Sequence, residues 1–210
     1  MLFKNIGKAS KRIVKFLDKQ NILSESQYGF RKKRSTNLAI LELVTKISKA
    51  IDDNEFTMGV FLDLSKAFDT VDHVILLQKL EHYGIRGVAL DWFKNYLTGR
   101  TQFGKYKTTN SNSLSIKCGV PQGSVLGLLL FLLYINDITK CSQILKFILF
   151  ADDTNLFLNH HDVMTLYKIM NQELKKVTAW LTANKLSLNI NKTIFIIFKS
   201  NRKKLKTKQM

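Results

Sequence analysis

The sequence predicts an α+β domain in which helices back an antiparallel sheet. Strand-like and helix-like segments follow one another without the regular β-α-β alternation that builds a parallel sheet. Two apolar runs, Ile144–Phe150 and Asn155–Leu158, flank a short polar bend, and this pattern is typical of a β-hairpin. Apolar residues make up 45% of the 210 residues, which is enough to form the core of one ordinary domain, with or without a small appendage.

The N-terminal quarter is predicted to contain two helices and to lead into the first long strand. Residues 8–20 form a basic helix, and residues 21–34 form a loop that ends in four successive cations. Ser35 or Thr36 can cap the second helix. Its apolar residues recur at helical spacing and are expected to face inward: Leu38, Leu41, Val44, Ile47 and Ile51. A strand follows at 56–64.

The later elements follow from the same periodicities and from glycine and serine boundaries. Two helices and two strands are predicted at about 72–83, 87–97, 101–107 and 113–118. After the loop Gly119–Gly123, Ser124 can cap an apolar helix that extends to about residue 138. The last strand covers 193–198. A helix at 162–183 is expected to bury Val163, Leu166, Ile169, Leu174, Val177 and Leu181.

Three aspartates give the strongest chemical signal. Asp152 and Asp153 occupy the hairpin bend, and Asp63 lies in the apolar strand 56–64. A charge in such a strand is costly unless something compensates it. Three carboxylates brought together repel one another and need cations, and oxygen ligands suit Mg²⁺. Two such ions are the working parts of phosphoryl-transfer enzymes, polymerases among them, so the acids predict a site for that chemistry.

The net charge of +17 is concentrated at the two ends of the chain. Residues 1–50 hold twelve Lys and Arg against three acids, and residues 185–210 hold eight with no acid. Residues 51–184 hold thirteen of each sign. Cationic surface beside an acidic metal site fits a polyphosphate or nucleic-acid partner, although a well-solvated basic surface explains the same charges about as well.

The cysteines and the apolar runs favour a soluble intracellular protein. Cys118 and Cys141 are the only cysteines, and they form neither a CxxC pair nor a zinc-like cluster. No apolar stretch follows Met1–Asn5, which excludes a signal-peptide pattern there. The longest apolar run, Val125–Ile135, is too short to span a bilayer.

Five short segments occur in a characteristic order between about residues 20 and 198. They are QYGFR at Gln27–Arg31, FLDLSKAFD at Phe61–Asp69, GVPQGSVLG at Gly119–Gly127, FADDT at Phe150–Thr154, and LSLN at Leu186–Asn189 with NKT at Asn191–Thr193. Together they resemble the reverse transcriptases of non-LTR retrotransposons, in particular the jockey-like group. The resemblance implies a polymerase palm on a ferredoxin-like antiparallel sheet backed by helices, with partial fingers.

The same resemblance implies a division of the chain. Residues 1–55 would be basic partial fingers. Residues 56–198 would be the palm, with a fingers insertion at about 72–118, and 199–210 would be a basic tail. The family's first fingers segments would precede residue 1 and a thumb would follow residue 198, so this chain alone is expected to be poorly processive or inactive.

The resemblance also assigns the acids. Asp63 and Asp152 would be the main metal ligands and Asp153 a third carboxylate, all three being catalytic. The implied cofactor is two Mg²⁺ ions, with Mn²⁺ as a substitute. One ion lowers the pKa of a primer 3′-hydroxyl, and the other neutralises the triphosphate and the leaving pyrophosphate. The implied partners are an RNA template, a DNA primer and dNTP, without a membrane, and the implied location is the cytoplasm and nucleus.

Five further residues receive roles in the same way. Phe68 would be a steric gate that excludes a 2′-hydroxyl, against the simpler interpretation as a core phenylalanine. Gln122 and Gly123 would contact the incoming nucleotide or the template base. Arg31 would hold the triphosphate with its charged fork. Lys192 would protonate the leaving pyrophosphate, or would be a surface lysine before a strand.

The sequence departs from the family pattern at two places and leaves two other functions open. Leu128 stands where the family usually has proline, which suits a helix, and Gly104 replaces an apolar residue and is expected to weaken its strand. One alternative function is a truncated, non-catalytic element remnant that binds nucleic acid through its basic ends. The other is a metal-dependent nuclease, which accounts for neither Phe68 nor the Gln122 loop.

Overall fold

A computed structural model describes residues 3–203, and side-chain environments from residue 10 onward. Its helices are α1 (Phe3–Lys19), α2 (Thr36–Asp52), α3 (His73–His82), α4 (Val88–Leu97), α5 (Val125–Ile135) and α6 (Val163–Ala183). Its strands are β1 (Phe56–Leu62), β2 (Thr101–Gln102), β3 (Lys105–Tyr106), β4 (Thr109–Asn110), β5 (Leu114–Ser115), β6 (Lys146–Phe150), β7 (Asp153–His160) and β8 (Ile194–Phe198). Of the predicted basic tail, residues 204–210 lie outside the described part of the chain.

The described chain forms two compact units. The first, called the helical unit, contains the described residues up to Leu23 together with Lys66–Asn136 and Asn184–Leu186. The second, called the sheet unit, contains Ser24–Ser65, Asp137–Ala183 and the described residues from Ser187 onward. This partition does not test the fingers and palm boundaries inferred from the sequence, which stay predictions.

The sheet unit is built on four antiparallel strands in the order β6-β7-β1-β8. Numbered along the chain as 1 to 4, these strands lie in the order 2-3-1-4, which is the order of a split β-α-β, or ferredoxin-like, sheet. The central pair, β1 and β7, runs from Phe56↔His160 to Leu62↔Thr154. The predicted α+β class with an antiparallel sheet is therefore confirmed.

Two helices of the sheet unit pack on this sheet. α6 contacts β7 and β1, and it buries Val163, Leu166, Val177 and Leu181 as predicted. α2 contacts β1 and β6, but its predicted inward face is wrong. Leu38, Leu41 and Val44 are exposed, whereas the small residue Ala39 is buried against the sheet. α2 carries apolar residues on more than one face, so spacing alone selected the wrong one.

The helical unit is centred on α5, nine of whose eleven residues are buried. α5 packs against α1 and α3, and α3 contacts α4. Ser124 caps α5 as predicted, by accepting a hydrogen bond from the Gly127 N–H. The α-helix ends at Ile135, and a 3₁₀ helix, Asn136–Cys141, continues from it.

The strands predicted at 101–107 and 113–118 are much shorter in the structure. They form two small ribbons, β2 with β5 and β3 with β4, each two residues long per strand and fully exposed. Gly104 lies between β2 and β3, and this agrees with its expected weakening of the strand.

No helix within residues 3–203 combines the length and the apolar character needed to cross a membrane.

Candidate active site

The sheet register brings the three predicted carboxylates to one end of the sheet. β1 and β7 are antiparallel, and their last pair is Leu62↔Thr154. Asp63 follows Leu62, so it lies beside Asp153, the first residue of β7. We call Phe150–Asp153, the turn between β6 and β7, the acid bend. Aspartates separated by about ninety positions in sequence are thus neighbours in the fold.

The acid bend is held in a strained backbone conformation. Ala151 has φ +57°, a left-handed value that is uncommon for a residue with a side chain. Phe150 and Asp153 pair across the bend, as the last pair of β6 and β7. A non-glycine residue in this region persists only where its surroundings determine it, and such strain is concentrated at functional sites.

The electrostatics of the bend agree with a cluster of like charges. The pKa of Asp153 is raised above its usual value, first because its carboxylate is partly removed from water, although the residue is exposed overall. The negative charge of Asp152 and then that of Asp63 raise the pKa further. Asp63 and Asp152 are half-buried. The Asp153 carboxylate is therefore affected by the charges of both other aspartates, as the metal-site hypothesis requires.

The fit to a metal can be tested on this donor set. Among the described residues, no group of three or more His, Cys, Asp and Glu side chains is arranged so that it could hold a metal ion. The raised pKa of Asp153 nevertheless shows mutual repulsion that a cation would relieve. Carboxylate oxygens are the ligands that Mg²⁺ and Mn²⁺ prefer. The residues fit the ions chemically, and the ligand assignment stays a prediction.

Lys192 lies at the same site because the chain before it is attached to the end of β1. The Asn189 N–H donates to the Asp63 carbonyl at 2.8 Å, and the Ser65 N–H donates to the Ser187 carbonyl at 2.8 Å. A 3₁₀ turn, Ile190–Lys192, follows directly. A cavity of about 590 Å³ is lined by Asp63, Asp153 and Lys192 together with apolar side chains of α2 and the sheet.

Arg31 lies in the sheet unit with its guanidinium already engaged. It donates to the Ser24 carbonyl at 2.6 Å and approaches Glu25 at 3.5 Å. Its side chain is only 16% exposed. These contacts give Arg31 a structural role in the loop, and its binding of a triphosphate stays a prediction.

The helical unit contains Phe68, Gln122 and Gly123. In this unit, hydrogen bonds attach the loop Gly119–Gly123 to Phe68 and Asp69, which follow β1 in sequence. The Val120 N–H donates to the Phe68 carbonyl at 2.8 Å, and the Gln122 amide donates to an Asp69 carboxylate oxygen at 3.4 Å. The Phe68 ring packs on Phe131 with centroids 4.4 Å apart. Phe68 is half-buried, while Gln122 and Gly123 are exposed.

A second cavity in the helical unit lies beside this loop. It has a volume of about 690 Å³, and Gln122 lines it with the cations Lys66, Arg100 and Lys117. His73 fixes the loop from the other side, since its Nε2 lies 2.8 Å from the Gly119 carbonyl. No role could be predicted for His73, because a histidine beside a helix carries no sign of its distant partner.

Another residue without an assigned role is Gln27, the first residue of the QYGFR segment. Its side chain is buried and contacts the acid bend. The only sequence signal was its membership of that segment, since a glutamine in a loop is ordinarily exposed.

Comparisons with known proteins show which family the chain resembles. The family model "Reverse transcriptase (RNA-dependent DNA polymerase)" matches residues 1–208. The chain is 30% identical over 196 residues to a probable RNA-directed DNA polymerase from transposon BS of Drosophila melanogaster, covering 87% of this chain and 21% of that protein. It is 25% identical over 209 residues to the RNA-directed DNA polymerase from mobile element jockey of the same species, covering 94% and 23%. The chain thus spans about a fifth of the length of these relatives.

The fold is similar to that of a solved telomerase. The structure of apo telomerase from Candida tropicalis matches 92% of this chain and 36% of its own chain, with a TM-score of 0.65 at 14% identity. This likeness confirms the predicted fold, a polymerase palm with part of the fingers. From the match over nearly its whole length, the chain belongs to the reverse transcriptase (RNA-dependent DNA polymerase) family.

Proposed function

We propose that this chain is the palm and partial fingers of a retrotransposon polymerase that copies RNA into DNA. It would transfer a nucleotidyl group from a dNTP to a primer 3′-hydroxyl, in the cytoplasm and nucleus. The observation that carries the proposal is the meeting of Asp63 with the acid bend, in a cavity that Lys192 also lines.

Asp63, Asp152 and Asp153 would hold two Mg²⁺ ions, or Mn²⁺ in their place. When bound, the ions supply positive charge that favours ionisation of the 3′-hydroxyl and neutralises the triphosphate. The raised pKa of Asp153 supports this assignment, because the described residues leave the repulsion among the carboxylates uncompensated.

The remaining predicted residues would bind and orient the substrates. Lys192, exposed at the edge of the carboxylate cavity, would donate a proton to the leaving pyrophosphate. Phe68 would exclude a 2′-hydroxyl, while Gln122 and Gly123 would contact the nucleotide or the template base. Lys66, Arg100 and Lys117 give the second cavity the positive charge that phosphates require.

Primer extension on an RNA template tests the proposal. The wild type should incorporate dNTPs in the presence of Mg²⁺, and Asp152→Asn should abolish incorporation. The matched control is Asp91→Asn, which removes an exposed carboxylate from the first turn of α4 and should leave incorporation unchanged. Equal incorporation by the wild type and Asp152→Asn would contradict the proposal.

A second candidate function is favoured by the concentration of Lys and Arg in residues 1–50 and 185–210. A non-catalytic remnant would bind nucleic acid through its basic segments without using the carboxylates. It should bind RNA with an affinity that falls steeply with salt, and it should incorporate no nucleotide with either metal. Release of nucleotides from a labelled strand without added dNTPs would instead favour a nuclease.

A further inference from the structure

The side-chain amide of Gln27 is buried against the acid bend, and both its oxygen and its nitrogen form hydrogen bonds with the bend. Gln27 is 2% exposed. Its Oε1 accepts the Ala151 N–H at 3.0 Å and the Gly29 N–H at 2.8 Å. Its Nε2 donates to the Ala151 carbonyl at 3.4 Å. One side chain therefore serves both backbone polar groups of the residue that precedes Asp152.

The main chain around Gln27 is attached to the strand that leads into the bend. The Tyr28 N–H donates to the Leu149 carbonyl, and the Leu149 N–H donates to the Ser26 carbonyl, both at 2.8 Å. Gln27 and Leu149 form a parallel bridge. This short extension of the sheet beyond β6 holds the backbone of Gln27 in place. The backbone hydrogen bonds therefore direct the Gln27 amide towards the bend.

The bend needs such support because its backbone is strained. Ala151 is buried and has a left-handed φ of +57°, a conformation that costs energy in a residue with a side chain. Its buried N–H and C=O groups also need hydrogen-bond partners. Asp152 and Asp153 directly follow Ala151, so an amide that binds both polar groups of Ala151 also fixes the main chain from which the two aspartates extend.

We infer that Gln27 is a positioning residue that holds the acid bend closed, so that Asp152 and Asp153 are presented together to divalent ions. The expected effect of Gln27 on metal binding rests on the proposed function, whereas the hydrogen bonds of Gln27 do not depend on it. Gln27 acts through Ala151 and touches neither carboxylate in the contacts described. Residues that orient metal ligands in this way affect metal affinity by about 10–100-fold when they are replaced.

The side chain must both donate and accept, and this requirement defines the variants. Gln27→Met keeps the length and approximate volume but removes the amide. Gln27→Glu keeps the shape, loses the donor to the Ala151 carbonyl, and adds a negative charge beside the acids. The control is Asn136→Leu in the helical unit, which removes another buried carboxamide, one that donates to the Ile22 carbonyl at 2.8 Å.

Two measurements on the full chain separate positioning from simple stability. Amide hydrogen exchange by NMR reports whether the Ala151 N–H stays protected, and electron paramagnetic resonance of free Mn²⁺ reports metal affinity. Gln27→Met should lose protection at Ala151 and bind Mn²⁺ at least about tenfold more weakly. Gln27→Glu keeps the oxygen that accepts the Ala151 N–H, so it should keep that protection. Asn136→Leu should have a lower unfolding free energy, measured with urea, while its Ala151 protection and its Mn²⁺ affinity stay at the wild-type values.

Each remaining outcome decides the inference. Unchanged Ala151 protection in folded Gln27→Met would overturn it, as would a loss of Mn²⁺ affinity no larger than that of Asn136→Leu. Failure of both Gln27 variants to fold would overturn it too, because the residue would then determine the fold itself. If the wild type and Asp152→Asn bind Mn²⁺ equally weakly, the proposed function fails, and exchange at Ala151 alone then decides the role of Gln27.

Discussion

Gly29→Ala is expected to displace the acid bend by about 1 Å. A Cβ built on Gly29 would lie 2.4 Å from the Ala151 backbone nitrogen and 3.1 Å from the Phe150 carbonyl carbon. Ordinary van der Waals contact begins at 3.4 Å, so the two backbones must separate by about 1 Å. Because both contacts are with main-chain atoms, no change of rotamer relieves them.

Two effects of known size follow from that displacement. Forcing an extra methyl group into a packed site costs about 1–3 kcal/mol of unfolding free energy. A misplacement of about 1 Å at a reacting centre can lower the rate by about 100-fold. Gly29→Ala should therefore lose activity far beyond what its stability predicts at a temperature where it remains folded.

Urea unfolding and primer extension on an RNA template measure these effects on one preparation. The matched control is Gly104→Ala, since a Cβ at Gly104 would have only the Ser111 hydroxyl within 4 Å, at 3.6 Å. That variant should keep the stability and rate of the wild type. If Gly29→Ala unfolds at the wild-type urea concentration and extends primers at the wild-type rate, the close approach of the two backbones is wrong.

Three further predictions concern stability. Ser124→Ala removes the cap of α5 and should cost about 1 kcal/mol by urea unfolding, while Ser124→Asp keeps a capping oxygen and should cost less. Asp72→Ala removes the cap of α3 and should also cost about 1 kcal/mol at neutral pH. The hydrogen bond from Lys185 holds the pKa of Asp72 below 3.8, so this cost should shrink as the pH falls below 3.8; a cost independent of pH would refute that assignment. Asp153→Asn should raise the melting temperature in EDTA at neutral pH, because the raised pKa of Asp153 shows that its charge opposes folding. The gain should vanish below pH 3.8, where the carboxyl is protonated in both the folded and the unfolded state. A loss of stability at neutral pH would contradict this prediction.

The sheet and its acids could be predicted because their signals are local. Strand periodicity located β1 and the hairpin, with Asp63 directly after β1 and Asp152 and Asp153 at the hairpin bend. Their meeting follows once β1 and β7 pair, because Asp63 directly follows the last pair, Leu62↔Thr154. The cap at Ser124 could be predicted as well, since a serine before an apolar helical run commonly acts as the N-cap.

The features that could not be predicted depend on contacts between distant residues. Gln27 and Ala151 are 124 positions apart, and nothing in a loop glutamine indicates a buried partner. The orientation of α2 was wrong for a related reason. Its apolar residues leave more than one face available, and the approach of Ala39 to the sheet decides which one is buried.

The acid bend combines features that weaken the fold, and the proposed metal-dependent function would account for them. Like charges face one another, and Ala151 holds a left-handed backbone. Gln27 satisfies the main chain of the bend, and Asn189 fixes the carbonyl of Asp63, but the described residues supply no cation that cancels the repulsion. A protein that only bound nucleic acid through its basic ends would not need this arrangement, since clustered carboxylates repel phosphates. The same cluster is useful to an enzyme that recruits divalent ions with its substrate, so the destabilised bend favours the polymerase over the remnant.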